Sequence, residues 1–360
     1  MLKHILSDDF PRSRILTVLL IVIVLGLVFA PFIFPGTRSL NTAARICIFI
    51  VLIASYDLLL GYTGIVSFAH TMFFGIGAYG VALTLNAMGP SWAAIPLGAL
   101  AGVVCAGLLA LVIGLFSLRV KAIFFAMVTL AVASAFAVLV SQLSDFTGGE
   151  DGLSYKIPRE FTPAFKLFDD KIFGVRISGK IVMYYSIVIV SILLFLTMLR
   201  MVNSPFGRVL QAIRENAFRA EAIGYRTVRY QTATNVLAAI FAALAGAMMA
   251  LWLRYTGPDT TLSMEIMVDI LLMVVIGGMG TMYGAIVGAT IFILAQNYLQ
   301  NALAVAGEVT EGIPILSELL HPDRWLLWLG LLFILSVYFF PTGVVGRLRE
   351  HAVRRKETAT

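Results

Sequence analysis

Few residues in this chain could do chemistry, and the patterns that suggest it each lack a part the chemistry needs. Gly174-Val-Arg-Ile-Ser-Gly179-Lys180-Ile181 comes close to a phosphate-binding loop, GxxxxGK[ST]. In such a loop the last hydroxyl ligates Mg²⁺, and Ile181 has none. Gly75-Ile-Gly77-Ala-Tyr-Gly80 matches GxGxxG. A dinucleotide site needs a strand before that turn and an acid about 20 residues later. Here the match lies in an apolar run with no such acid, so close helix packing through small residues is the plainer reading. Of His4, His70, His321 and His351, only His70 falls within an apolar run, and no second His or Cys stands at ligand spacing. Cys47 and Cys105 sit in apolar runs and imply neither a disulfide framework nor a thiolate site. No metal, cofactor or covalent catalysis is expected. His70 reads either as hydrogen-bonded into packed helices or as a substrate contact.

Asp57, Glu265 and Asp269 are the main acids within or beside apolar runs. A charge near the bilayer centre costs about 2.5–3.5 kcal/mol. Asp57, one turn from Gly61, is expected near the inner surface, solvated or paired with Arg119 or Lys121. Glu265 and Asp269 share a helix face. Glu265 is expected to reach water, while Asp269 lies about 6 Å deeper by helical rise and is the best single candidate for a polar contact along a pathway. No ladder of acids suggests proton or sodium coupling. Two glycine-dense regions also interrupt apolar runs: 61–79, with Ser67, His70 and Tyr79, and 277–288, with Gly277, Gly278, Gly280 and Thr281. Broken helices at corresponding positions mark the translocation site in many transporters. Packing through Gly280, Gly284 and Gly288 is the alternative. The candidate pathway residues are therefore Ser67, His70, Tyr79, Asp269, Gly277, Gly278, Gly280 and Thr281.

What must position these residues follows from composition. The chain has 360 residues, 60% of them hydrophobic and 13% charged. Soluble domains average about half apolar and about a quarter charged. This chain has too little charge to clothe a water-facing surface, so it is expected to be an integral membrane protein. That excludes a secreted scaffold, a disordered regulator and a cytosolic enzyme. A helix needs about 20 apolar residues to cross a bilayer. Candidate spans fall at about 15–34, 43–60, 65–87, 92–116, 120–142, 181–201, 231–253, 265–280, 282–303 and 325–340. The eighth and ninth are either two short spans or a broken, re-entrant pair. Lys3, Arg12 and Arg14 before the first run resemble a signal peptide, but no small-x-small cleavage site follows, so it reads as an uncleaved first span.

Charge placement orients this layout. Segment 203–230 carries Arg208, Arg214, Arg219, Arg226 and Arg229 against Glu215 and Glu221. The tail 342–360 carries Arg347, Arg349, Arg354, Arg355 and Lys356 against Glu350 and Glu357. Arg119 and Lys121 make a third basic link, whereas 144–180 has six basic and six acidic residues. The positive-inside rule puts the first three in the cytoplasm and the last outside. Ten spans with both termini inside satisfy all four. The fold class is thus all-α, a polytopic bundle of about ten membrane helices forming a single domain over 1–360. The basic excess is expected to meet membrane lipid and not nucleic acid.

The inner loop has its own pattern. Ser204-Pro205 is a helix start, an oxygen cap with proline in the first turn. Phe206, Val209, Leu210 and Ile213 then mark one apolar face, with Arg208, Gln211, Arg214 and Glu215 on the others. A second stretch from Phe218 to Ile223 ends at Gly224. Docking in a partner's groove and lying on the inner membrane surface both fit this pattern.

Four stretches, GYTGIVSFAHTMFFGIGAY (61–79), TGGEDGL (147–153), SPFGRVLQAIRENAFRAEAIGY (204–225) and GGMGTMYGAIVGA (277–289), resemble the permease subunits of branched-chain amino acid type ABC importers, in the LivM-like branch. The likeness runs from about residue 45 to 345. Ala69 departs from the family's SFGH. Glu221-Ala222-Ile223-Gly224 fits the general EAA-then-Gly loop loosely but matches this family's own variant. The resemblance implies a gated conduit that does no covalent chemistry itself, ATP hydrolysis being on separate cytoplasmic ATP-binding subunits. It implies ATPase coupling by Ser204, Phe206, Gly207, Arg208, Val209, Leu210, Ile213, Arg214, Glu221 and Gly224. A second related permease would complete the pore, and a soluble substrate-binding protein would deliver substrate to the outer loop, 144–180, near Gly148-Gly149-Glu150-Asp151. A bacterial inner membrane is implied. The cargo would be branched-chain or related amino acids. Alternatives are urea, short amides or aromatic acids on the same machine, then an ion-coupled secondary transporter, and last a membrane enzyme.

Overall fold

The computed structural model describes residues 11, 13–33, 36–117, 122–172, 175–309, 320–339 and 342–349. Long apolar runs become helices because a helix satisfies its backbone groups internally, as hydrocarbon requires. They are α1 (Arg14–Ile33), α2 (Thr37–Thr63), α3 (His70–Met88), α4 (Ala94–Ser117), α5 (Ala122–Gln142) and α6 (Gly179–Asn203). After the two short helices α7 (Pro205–Glu215) and α8 (Ala217–Ala222) come α9 (Thr227–Leu253), α10 (Met264–Gly277), α11 (Met282–Val309) and α12 (Trp325–Phe339). Nine segments among the described residues are long and apolar enough to cross a membrane. The tenth expected span is α12, whose 15 residues fall short of that length. Arg119 and Lys121, the N-terminal basic residues Lys3 and Arg12, and the tail beyond residue 349 lie outside the described residues.

At the centre is α2, buried almost throughout from Ala43 to Thr63 and apolar there apart from Arg45, Ser55, Asp57 and Thr63. A helix apolar nearly all round has little face to give to water. Packed on it are α6, α9 and α11, and α9 also packs on α3 and α4. Close approach decides that last contact. A Cβ on Gly77 would overlap the Ala243 carbonyl, and one on Gly246 would overlap that of Phe74. The GxGxxG match is thus helix packing. On the outside, α1, α4 and α5 expose Val22, Leu25, Leu100, Leu108, Phe124 and Met127, as lipid-facing helices do.

Pro31 lies within α1. It has no N–H, so the carbonyl four residues earlier, on Leu27, loses its partner. The Tyr184 hydroxyl donates to Leu27 instead, and the Tyr185 hydroxyl donates to the Val28 carbonyl at 2.9 Å. Tyr184 thereby supplies the donor that the proline removed, and Tyr185 adds a second tie from α6 to α1.

The span expected at 65–87 starts later. Gly64, with φ 73°, ends α2, and no helix resumes until His70. Spans eight and nine resolve into a tight pair: α10 and α11 are joined by residues 278–281 and pack along each other. A Cβ on Gly277 would overlap the Gly284 carbonyl, and one on Gly288 would overlap that of Met273.

Among the described residues four short strands depart from a purely helical chain. β2 (Lys166–Ile172) and β3 (Val175–Ser178) pair antiparallel, and so do β1 (Leu153–Ser154) and β4 (Tyr255–Thr256). The near-phosphate-loop sequence contributes β3 and the first turn of α6. The β1–β4 pair ties segment 144–178 to the end of α9. Tyr155 locks that join, its hydroxyl bonding the Ala250 carbonyl at 2.8 Å and the Thr256 hydroxyl at 2.9 Å. Burial holds its phenol above the ordinary range.

Candidate functional site

Segments 204–226 and 144–178 lie at opposite ends of the bundle, because α6 runs between them. At the 204–226 end, three stretches distant in sequence converge. Gly61, in the last turn of α2, has no side chain, and the backbone of Gly280 comes against it. Asp57, one turn earlier, then reaches the Gly280 N–H, which donates to its carboxylate at 2.9 Å. Gly280 holds φ 78° and Gly278 φ 115°, in the region that favours glycine. The Thr281 hydroxyl donates to the Gly278 carbonyl at 2.7 Å and completes the turn. From the amphipathic helix α7, the Arg214 guanidinium donates to the Gly61 carbonyl and its charge attracts Asp57. The expectation of a solvated Asp57 is corrected: it is 2% exposed and held by Gly280 and Arg214. Val345 is fully buried, and Gly343 packs on Gly278, so the tail begins docked against the same turn.

The apolar stripe of α7 faces inward. Gly207, Leu210 and Ile213 are buried, and Phe206 stacks on Tyr230 of α9 with centroids 5.8 Å apart. Of Phe206, Val209, Leu210 and Ile213, expected on one apolar face, Leu210 and Ile213 are covered by the chain itself, and α2, α6 and α9 are the elements packed on α7. Gly207 is required there, since a Cβ would overlap the Val202 carbonyl. The Ser204 hydroxyl is not the expected cap; it donates back to the Met201 carbonyl at 2.6 Å. The next helix does have a side-chain cap, Asn216 accepting from the Arg219 N–H at 2.9 Å. Glu221 accepts from the Thr227 hydroxyl and pins α8 to the start of α9, and Gly224 turns with φ 100°. What this end leaves uncovered is Phe218, 82% exposed, and Ile223, 68% exposed, with Arg208, Gln211 and Arg219 nearby in sequence and also exposed.

The remaining pathway candidates separate. Ser67 and His70 are fully buried. His70 Nε2 lies 2.8 Å from the Ser55 hydroxyl, and its ring meets Tyr56 edge-on at 5.1 Å. Histidine bonded into the bundle is therefore the reading that fits. Asp269 receives a 3.4 Å bond from Gln296 and attracts Arg45, and Glu265 is exposed as expected. Tyr79 packs with Val140 and Leu262, its hydroxyl buried with no partner among the described residues.

Beside Tyr79 runs a groove of about 540 Å³ between α5 and the stretch 258–264. Thr71, Ser134, Ser141 and Ser263 line it along its length, and Glu150 and Asp259 stand at the 144–178 end. Sequence reasoning missed these hydroxyls. The available signal was Ser134 and Ser141, seven residues apart and so on one helix face, on a helix otherwise apolar enough to face lipid.

Comparison with known proteins agrees with this architecture. Residues 39–337 match the family described as "Branched-chain amino acid transport system / permease component". The high-affinity branched-chain amino acid transport system permease protein LivM of Salmonella typhimurium is 25% identical over 300 residues, 79% of this chain and 69% of that protein. A probable LivM of Methanocaldococcus jannaschii is 24% identical over 252 residues, 68% of this chain and 67% of the relative. LivH of Salmonella typhimurium is 23% identical over 319 residues, 87% and 94% of the two chains. No solved structure matches. With that match running from the first turn of α2 to within α12, this multi-pass chain belongs to the family of permease components of branched-chain amino acid transport systems.

Proposed function

We propose that the chain is one membrane half of an ATP-driven importer of branched-chain or related amino acids. The observation that carries this is the junction of Arg214, Gly61, Asp57 and Gly280. A helix of the 204–226 segment there grips both the end of the central span and the glycine turn between α10 and α11. Such a grip lets a push on α7 and α8 move two spans together, because close-packed elements shift as units and do not deform smoothly.

On this reading 203–230 and the tail are cytoplasmic and 144–180 is periplasmic, in a bacterial inner membrane. ATP-binding subunits seat on Phe218 and Ile223. Large exposed apolar groups on a polar loop mark protein interfaces. The groove beside α5 is half of the passage, closed by a second, related permease, and its hydroxyls replace water along the path. A binding protein delivers cargo to the mouth near Glu150 and Asp259. Urea, amides and aromatic acids remain cargo alternatives on the same machinery. The test is reconstitution with the partner subunits. Arg214→Ala is expected to leave ATP hydrolysis in place and abolish uptake. Wild-type uptake by that variant would overturn the coupling role.

A further inference from the structure

At the end of the bundle opposite α7 lies a second pocket, of about 380 Å³, at the start of α2 and α6. Four cationic side chains line it: Arg38 and Arg45 from α2, Lys180 from α6, and Arg254 just past α9. Among the described residues none of the four makes an ion pair. Arg38 donates to the Asn297 carbonyl at 2.6 Å, and the Arg45 Nε is buried with no hydrogen-bond partner. Aromatic faces partly compensate. Arg38 lies 5.6 Å from the Tyr298 ring, Arg45 5.9 Å from Phe49, and Lys180 5.4 Å from Trp252. Lys180 and Arg254 repel each other. Asp269 attracts Arg45, so among the described residues one acid acts on a cluster of four cations.

Like charges gathered around a partly enclosed space are unfavourable unless something of opposite sign sits among them. Aromatic faces supply only about 0.5–2 kcal/mol each. If the end opposite α7 is periplasmic, the cluster also runs against the ordinary bias of basic residues toward the cytoplasmic side. Fixed donors converging on a small volume are the means by which proteins hold carboxylates and phosphates.

We propose that this pocket is an oxyanion site, holding one carboxylate- or phosphate-sized group among Arg38, Arg45 and Lys180. The source is either a dissolved anion or the phosphodiester of an anionic lipid. The site stands independently of the importer reading. Trp252, in contact with Lys180, reports on it. A full-length chain with Trp92, Trp325 and Trp328 replaced by Phe, in nanodiscs, is titrated with inorganic phosphate while Trp252 emission is followed. The same chain is compared in phosphatidylcholine and phosphatidylglycerol discs. A saturable change in phosphatidylcholine discs supports the site with a dissolved source. A change seen only with phosphatidylglycerol supports it with a lipid source. In either case Arg45→Gln should weaken the effect at least tenfold, the loss expected for one charge-assisted hydrogen bond. The exposed Arg38→Gln should weaken it in a chain that keeps its fold. Asp269→Asn should strengthen it, because Arg45 loses its competing partner. No saturable change in either disc, or one indifferent to all three substitutions, overturns the site.

Discussion

The Asp57 carboxylate accepts the Gly280 N–H at 2.9 Å, across 223 residues of sequence. That bond exists because Gly61, one turn after Asp57, leaves room for the Gly280 backbone. Together with Arg214 on the Gly61 carbonyl, it makes the two glycine-dense regions one mechanical unit that α7 holds.

Gly280→Ala should therefore impair uptake more than its small volume suggests. The left-handed backbone costs an L-residue about 1–2 kcal/mol, and the new Cβ would press on Arg214 and the Gly61 carbonyl. Gly330→Ala is the control, since a Cβ there meets open space. The readout is uptake by reconstituted complexes alongside assembly by size-exclusion chromatography. Equal uptake by both variants would refute the junction.

Leu210→Ala and the pair Phe218→Ala/Ile223→Ala should fail differently. Leu210 is 1% exposed, so its truncation should cost about 2–5 kcal/mol of stability, seen as a lower detergent melting temperature. The exposed pair should melt normally and release the ATP-binding subunit, each lost anchor costing 2 kcal/mol or more on the order of interface hot spots. Retention of the subunit by the pair variant would move the docking surface elsewhere.

Single cysteines at Lys166 and Gln211, both exposed, in a chain lacking Cys47 and Cys105, should react with an impermeant reagent from opposite sides of the membrane. Labelling from one side alone would contradict the proposed orientation of 144–180 and 203–230.

The β1–β4 join should weaken in alkali. Burial raises the Tyr155 phenol above its unfolded value, about 10. Its contribution is complete below that pH and is lost as pH climbs beyond it toward the folded value. Wild type should therefore lose melting temperature above about pH 10 more steeply than Tyr155→Phe. At neutral pH the Phe variant should be about 1 kcal/mol less stable, one hydrogen-bonding group being lost. Parallel pH curves would remove Tyr155 from that role.

The sequence by itself determined the helical, polytopic membrane architecture and the two glycine-rich breaks. Those depend on local properties: a run long enough to cross, a backbone that must bond to itself in lipid, and a glycine that permits φ 78° at Gly280. It could not say which partner covers the stripe of α7, because Leu210 and Ile213 show one periodicity whether they pack on another protein or on α2, α6 and α9. Nor could it place Asp57. Within its own segment the acid faces only apolar neighbours and an inner surface, and water or the nearby Arg119 and Lys121 were the partners in view. Only the tertiary structure brings Gly280 and Arg214 to it. The groove hydroxyls Ser134 and Ser141, and the cations Arg38, Arg45, Lys180 and Arg254, are likewise scattered along the chain. Each becomes part of a site when helix packing removes the sequence distance between them.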